Sequence, residues 1–66
     1  MKSRLINFEE YNITILEILN DYEVYEYYIT HIKTHDFKYA FGVEVRFSKK
    51  ELRKWLLDHV NWSLML

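Results

Sequence analysis

Between Phe37 and Phe47 the chain alternates without a break: Phe37, Tyr39, Phe41, Val43, Val45 and Phe47 are separated by Lys38, Ala40, Gly42, Glu44 and Arg46. A period of two puts all six large side chains on one face of a strand, which a helix cannot do. Such a strand needs a partner to pair with and a layer to cover its apolar face. The sequence supplies both. Upstream, residues 24–33 are rich in tyrosine and isoleucine, and Thr34-His35-Asp36 separates the two runs as a short turn would. Downstream the period changes. Ser48 with Glu51 forms a capping box, and Leu52, Trp55, Leu56, His59 and Val60 make one helical stripe, which predicts a helix from Lys49 to Asn61.

The segment before these is ambiguous. Asn7 with Glu10 is also a capping box, and Phe8, Tyr11, Ile15, Ile18, Leu19 and Tyr22 fit helical spacing. Against a helix, residues 13–18 are rich in β-branched side chains, and Asn20-Asp21 falls where a two-residue hairpin turn would connect to Tyr22. The strand reading is preferred. The expected fold is α+β: a small antiparallel three-stranded meander with a C-terminal helix packed on one face (βββα), the alternative being αββα with an N-terminal helix over residues 8–20.

The turn positions set a register, with Leu16 opposite Tyr25, Thr14 opposite Tyr27, Ile29 opposite Phe41 and Tyr25 opposite Val45. One face then carries Leu16, Ile18, Tyr25, Tyr27, Ile29, Phe41, Val43, Val45 and Phe47 beneath Leu52, Trp55 and Leu56. The other carries Tyr11, Ile13, Ile15, Leu19, Val24, Tyr28 and Ile32, too apolar for a solvated sheet surface. Either Leu5, Ile6 and Phe8 fold over it or another molecule does, and Tyr11, Ile13, Ile15 and Tyr28 are the expected self-association face.

Sixty-six residues make one domain, residues 1–66. At 8.2 kDa only about 62% of the chain's surface is buried on folding, so hydrophobic burial and ordering entropy nearly cancel. The absence of cysteine removes disulfides and thiolate zinc sites, leaving oligomerisation as the route to added stability, and a homodimer is expected. The start of the chain mixes Lys2, Arg4, Glu9 and Glu10 with no secretory pattern, and no run is long enough to span a membrane, so a cytoplasmic protein is expected. Phe, Tyr, Met, Ile, Asn and Lys number 28 against 5 for Gly, Ala, Arg and Pro together, a bias towards AT-rich codons expected of a low-GC bacterium, its phages or its mobile elements.

Candidate chemistry is sparse. His31 and His35 have half the spacing of a metal site with Asp36 alongside, but that spacing brings rings together on a helix, and here it runs from a strand into a turn. His59 with Asp58, Ser48 or Ser63 lacks any glycine-framed nucleophile turn, and a single glycine, Gly42, cannot build a phosphate cradle. No catalytic, cofactor-binding or metal residue is expected, and the chain is read as not an enzyme. Tyr22, Tyr25, Tyr27, Tyr28 and Tyr39, five of the six tyrosines, are interleaved with Glu23 and Glu26, which favours core packing or a protein interface over a platform for nucleic-acid bases. The apolar end, Val60 to Leu66, is expected to pack under the sheet or against a partner.

Charge segregates, with 7 acidic and 3 basic residues over 1–36 and 3 acidic and 6 basic over 37–66. Arg46, Lys49, Lys50, Arg53 and Lys54 gather at a helix N-terminus, where the macrodipole favours acids, so they are the candidate partner-binding face. Ser48-Lys49-Lys50-Glu51-Leu52-Arg53-Lys54 resembles the Ser-Lys-Lys-Glu-Ala-Lys start of the last helix in double-stranded-RNA-binding domains. That resemblance, over 7 residues, implies lysine contacts to phosphates; Leu52, Trp55 and Leu56 depart from the family's alanine-rich packing, and a net charge of −1 opposes a phosphate polymer. The expected function is a small protein-binding module, a phage or mobile-element regulator or inhibitor acting by contact with a host protein. The alternative is nucleic-acid binding through the basic helix end.

Overall fold

The computed structural model describes residues 2–59, the side chain of Lys38 excepted. The chain forms β1 (Lys2–Phe8), a single 3-10 turn (Glu9–Tyr11), β2 (Ile13–Leu19), β3 (Tyr25–His31), β4 (Phe37–Val43) and α1 (Lys49–His59). The strands make one antiparallel sheet in the order β1-β2-β3-β4, with the helix against one face. The class is α+β as the sequence suggests, with four strands instead of three. No helix among the described residues is long and apolar enough to cross a membrane.

The added strand is β1, and it corrects the reading of residues 7–20. Asn7 and Glu10 cap no α-helix: Asn7 Oδ1 accepts from the Thr14 hydroxyl at 2.9 Å across the β1–β2 hairpin. Asn12, at φ 57°, reverses the chain after the 3-10 turn in the left-handed conformation that asparagine tolerates. Phe8 pairs with Ile13 and Lys2 with Leu19. Leu5, Ile6 and Phe8 therefore extend the sheet at its edge and do not fold over it.

The turn between β2 and β3 is five residues long, not two. Asn20 Oδ1 accepts from the amides of Tyr22 (2.8 Å) and Val24 (3.1 Å), its own N–H reaches Val24 O at 3.0 Å, and Glu23 takes φ 61°. Leu16 therefore pairs with Tyr28, not Tyr25. An odd shift of three turns every β2 side chain to the opposite face. Between β3 and β4 the shift is two, with Tyr27 opposite Phe41 and Ile29 opposite Tyr39, and the face assignment holds for Tyr39, Phe41 and Val43. An irregularity at Ile29/Thr30 sets Thr30 opposite Phe37. The strand expected to reach Phe47 ends at Val43, because β3 begins at its partner Tyr25 and nothing pairs beyond it. Val45 is 71% exposed rather than part of the covered face.

Rows of paired residues cross the helix-side face. Ile6, Ile15, Ile29 and Tyr39 form one, with Phe8 and Ile13 beside it; among these, Phe8, Ile13, Ile15 and Ile29 are fully buried together with Leu52 and Leu56 of α1. The helix begins over β1, where Lys49 Nζ and the Arg53 guanidinium each lie 5.4 Å from the Phe8 ring centroid. It ends over β4, where Trp55 stacks on Phe41 at 4.1 Å and His59 on Trp55 at 4.8 Å. The next row, Arg4, Glu17, Tyr27 and Phe41, is roofed by the β4–α1 connection, whose Phe47 stacks on Tyr27 at 5.7 Å. Past both roofs lies the last row, Lys2, Leu19, Tyr25 and Val43.

The capping box of α1 forms as the sequence predicts: Ser48 N–H donates to Glu51 Oε1 at 3.0 Å and Glu51 N–H to Ser48 Oγ at 3.2 Å. The Ser48 amide, and then its hydroxyl, hold the Glu51 carboxyl below its ordinary value. The expected end of the helix at Asn61, and the packing of Val60 to Leu66, lie outside the described residues.

Candidate functional site

The structure divides the residues expected to form a self-association face. Ile13 and Ile15 are fully buried beneath α1. Tyr11 packs against that core from the 3-10 turn, 6.3 Å from the Phe8 ring. Tyr28 alone lies on the opposite face, where its hydroxyl donates to Glu26 Oε1 at 2.7 Å and is held above its ordinary pKa by that carboxylate. The odd register shift at Asn20 separates them.

The basic set is divided too. Arg46 Nε pairs with Glu17 Oε1 at 3.2 Å, and Arg53 Nη2 with Glu10 Oε1 at 3.3 Å. Lys49 and Arg53 lie over the Phe8 ring, an apolar cover with a cation–π component. Lys50 and Lys54 are exposed and have no bonding partner among the described residues. Two of the five cations are thus left facing solvent without an internal role. His31 is occupied by its own turn, with Nδ1 accepting the amides of Lys33 (3.2 Å) and Thr34 (3.3 Å). No group of three His, Asp or Glu side chains placed to hold a metal occurs among the described residues.

Two surfaces missed by the sequence reading take their place. The first is the sheet face away from the helix. Pairing aligns Leu5, Leu16, Tyr28 and Ala40 into one cross-strand row, with Ile18 in the row beside it. Leu5 is 67% exposed, while Leu16, Ile18 and Tyr28 are half-buried by their neighbours, and no described element lies over them. The charged side chain described on this face is Glu26. It is held by Asn20 Nδ2 at 2.8 Å and by the Tyr28 hydroxyl, which keep its carboxyl below the ordinary value. On the other side of Tyr28, Thr14 and Thr30 join Asn7 in a neutral polar row. The surface has an apolar centre, hydroxyl and amide groups beside it, and one described charge, the hydrogen-bonded carboxylate of Glu26.

The second lies on the helix side, at the end the helix leaves open. Glu17, 5% exposed, accepts from Arg4 Nη2 at 2.8 Å, Arg46 Nε at 3.2 Å and the Tyr27 hydroxyl at 2.7 Å. The Tyr27 oxygen in turn accepts the Phe47 amide at 2.8 Å, and Arg4 Nη2 also donates to Phe47 O at 3.0 Å. Burial, then the bond to Glu17, pushes the Tyr27 phenol up to about 12, so it is a fixed donor rather than a base at neutral pH. This network ties three strands to the connection before α1 and forms the back wall of a groove of about 380 Å³, lined by Lys2, Ser3, Arg4, Arg46, Leu19 and Tyr25 as well as Glu17. The parity of Glu17 with Ile13 and Ile15 was the available signal, readable only once those isoleucines are known to face the helix. No protein-family model, curated protein or solved structure matches the chain.

Proposed function

We propose that the protein is a non-enzymatic binding module that works by protein–protein contact through the open face of its sheet, and that the first partner of this face is a second copy of the chain. The observation that carries this reading is the row Leu5, Leu16, Tyr28 and Ala40, apolar side chains on a sheet face that no described element covers. A solvated antiparallel face is ordinarily polar, and a contiguous apolar strip there marks a contact.

Low charge and size favour a second copy. Glu26 is the one charged side chain described on the face; it is hydrogen-bonded by Asn20 and Tyr28 and lies beside the apolar row rather than in it, so two copies can meet about a two-fold axis on that row. Four strands of seven residues give an outline of about 19 by 23 Å, so a face-to-face pair covers about 900 Å² before side-chain relief is counted, close to the roughly 1,000 Å² that a specific contact needs. A regulator or inhibitor of another protein, the role expected from the sequence, would use the same face in exchange for the second copy. The basic helix end supports the nucleic-acid alternative less well, since Arg46 and Arg53 already pair with carboxylates.

Sedimentation equilibrium tests the reading. The expected mass is twice 8.2 kDa, reduced to 8.2 kDa by Leu16→Glu, with the far-ultraviolet circular dichroism of the variant unchanged. A monomer at all concentrations, or a dimer indifferent to Leu16→Glu, contradicts it.

A further inference from the structure

The groove at the end of the sheet carries more positive charge than its architecture needs. Lys2, Arg4 and Arg46 line it against one carboxylate, Glu17, in a chain whose net charge is −1. Arg46 spends only its Nε on Glu17, and with its side chain 52% exposed its outer nitrogens have no bond among the described residues. Arg4 Nε is sealed from solvent with no acceptor among the described residues. The donors left at the groove are the outer nitrogens of Arg46 and the exposed Lys2 ammonium, with Arg4 held behind them by Glu17 and Phe47, and the paired outer N–H groups of a guanidinium suit an oxyanion. Behind this head site the floor is Leu19 and Tyr25, both half-buried and uncovered by α1. The same two side chains continue into an adjoining open hollow of about 310 Å³, lined also by Glu23 and Glu44. A ligand lying on this floor meets cations at one end and carboxylates at the other, so a second negative charge on it would be repelled.

We propose that the groove binds a small monoanion, a carboxylate carried on an apolar or aromatic body, with its carboxylate on Arg46, Arg4 and Lys2 and its body on Leu19 and Tyr25. The acidic far end selects against polyanions, which distinguishes this site from a phosphate-backbone contact. It lies on the helix side of the sheet and is independent of the open face.

Titration of the isotope-labelled protein with phenylacetate, followed by the resonances of Leu19 and Tyr25, tests the proposal. Saturable shifts are expected with a Kd on the order of millimolar, as for a ligand of about ten heavy atoms. Arg46→Gln leaves Glu17 bonded to Arg4 and Tyr27, so the fold is retained, and it should weaken binding at least about tenfold. Lys2→Gln, at an exposed residue, should weaken it by a smaller factor. Phenylethylamine should leave the Arg46 side-chain resonances unmoved, and inorganic phosphate should bind more weakly than phenylacetate because it lacks the apolar body. Absence of saturable shifts, equal affinity of Arg46→Gln, or phosphate binding as tightly as phenylacetate would overturn the proposal.

Discussion

Glu17 is a carboxylate set among isoleucines, and its neighbours explain how it is tolerated there. Burying one charge is costly unless it is paired and hydrogen-bonded, and Glu17 has two guanidinium groups and a phenol. Tyr27 links that carboxylate to the backbone of Phe47, so the phenol must stay protonated for the network to hold. The folded protein keeps this proton up to about 12 against an ordinary value of 10.0. A raised folded-state pKa means that the stabilisation is complete below 10.0 and is lost as pH climbs towards about 12. Denaturant midpoints measured across that window should fall more steeply for the unmodified protein than for Tyr27→Phe, which starts about 1–2 kcal/mol lower because Glu17 and the Phe47 amide each lose a partner. Equal slopes would show that the phenol does not report on the network. None of this chemistry was visible in residue types alone. A glutamate in an apolar run reads as an outward residue, and only its parity with Ile13 and Ile15 says otherwise.

At the scale of elements, legibility followed how local the determining interactions are. The start of α1 is set by Ser48 and Glu51 within one turn, and it appears where the capping box places it. Ser48→Ala should therefore cost about 1 kcal/mol in urea unfolding, with the m-value unchanged. The alternation of β4 placed Tyr39, Phe41 and Val43 on the correct face although the register slipped by two, because an even slip preserves which side each residue meets; Phe37, past the irregularity, pairs with Thr30 of the other face and is exposed. The register of β2 depends instead on one side chain. Asn20 looks like half of a tight turn, but its amide oxygen gathers the Tyr22 and Val24 amides and its nitrogen reaches Glu26, lengthening the connection to five residues. That single difference exchanged Leu16 and Ile18 for Ile13, Ile15, Glu17 and Leu19 on the covered face. The strand β1 was unreadable for another reason: on Lys2–Phe8 the inward positions are Arg4, Ile6 and Phe8, and the arginine, whose role is to pair with Glu17, breaks the apolar alternation.

For the whole molecule, the helix covers one sheet face, and on the other no described element lies over the strip of Leu5, Leu16 and Tyr28, a different set of residues from the one expected. Every functional reading rests on which β2 residues point outward, and the neighbours Ile15 and Leu16 decide it in one comparison. Thermal unfolding of Ile15→Glu and Leu16→Glu, followed by near-ultraviolet circular dichroism, is the direct measurement. Ile15→Glu buries an unpaired charge in the fully enclosed core, at a cost of about 4 kcal/mol or more, and should abolish cooperative folding of so small a domain. Leu16→Glu should retain a cooperative transition, because its side chain leaves the sheet on the side away from α1, where no described element covers it. The reverse result, an unfolded Leu16→Glu beside a folded Ile15→Glu, would contradict the register and with it the open face.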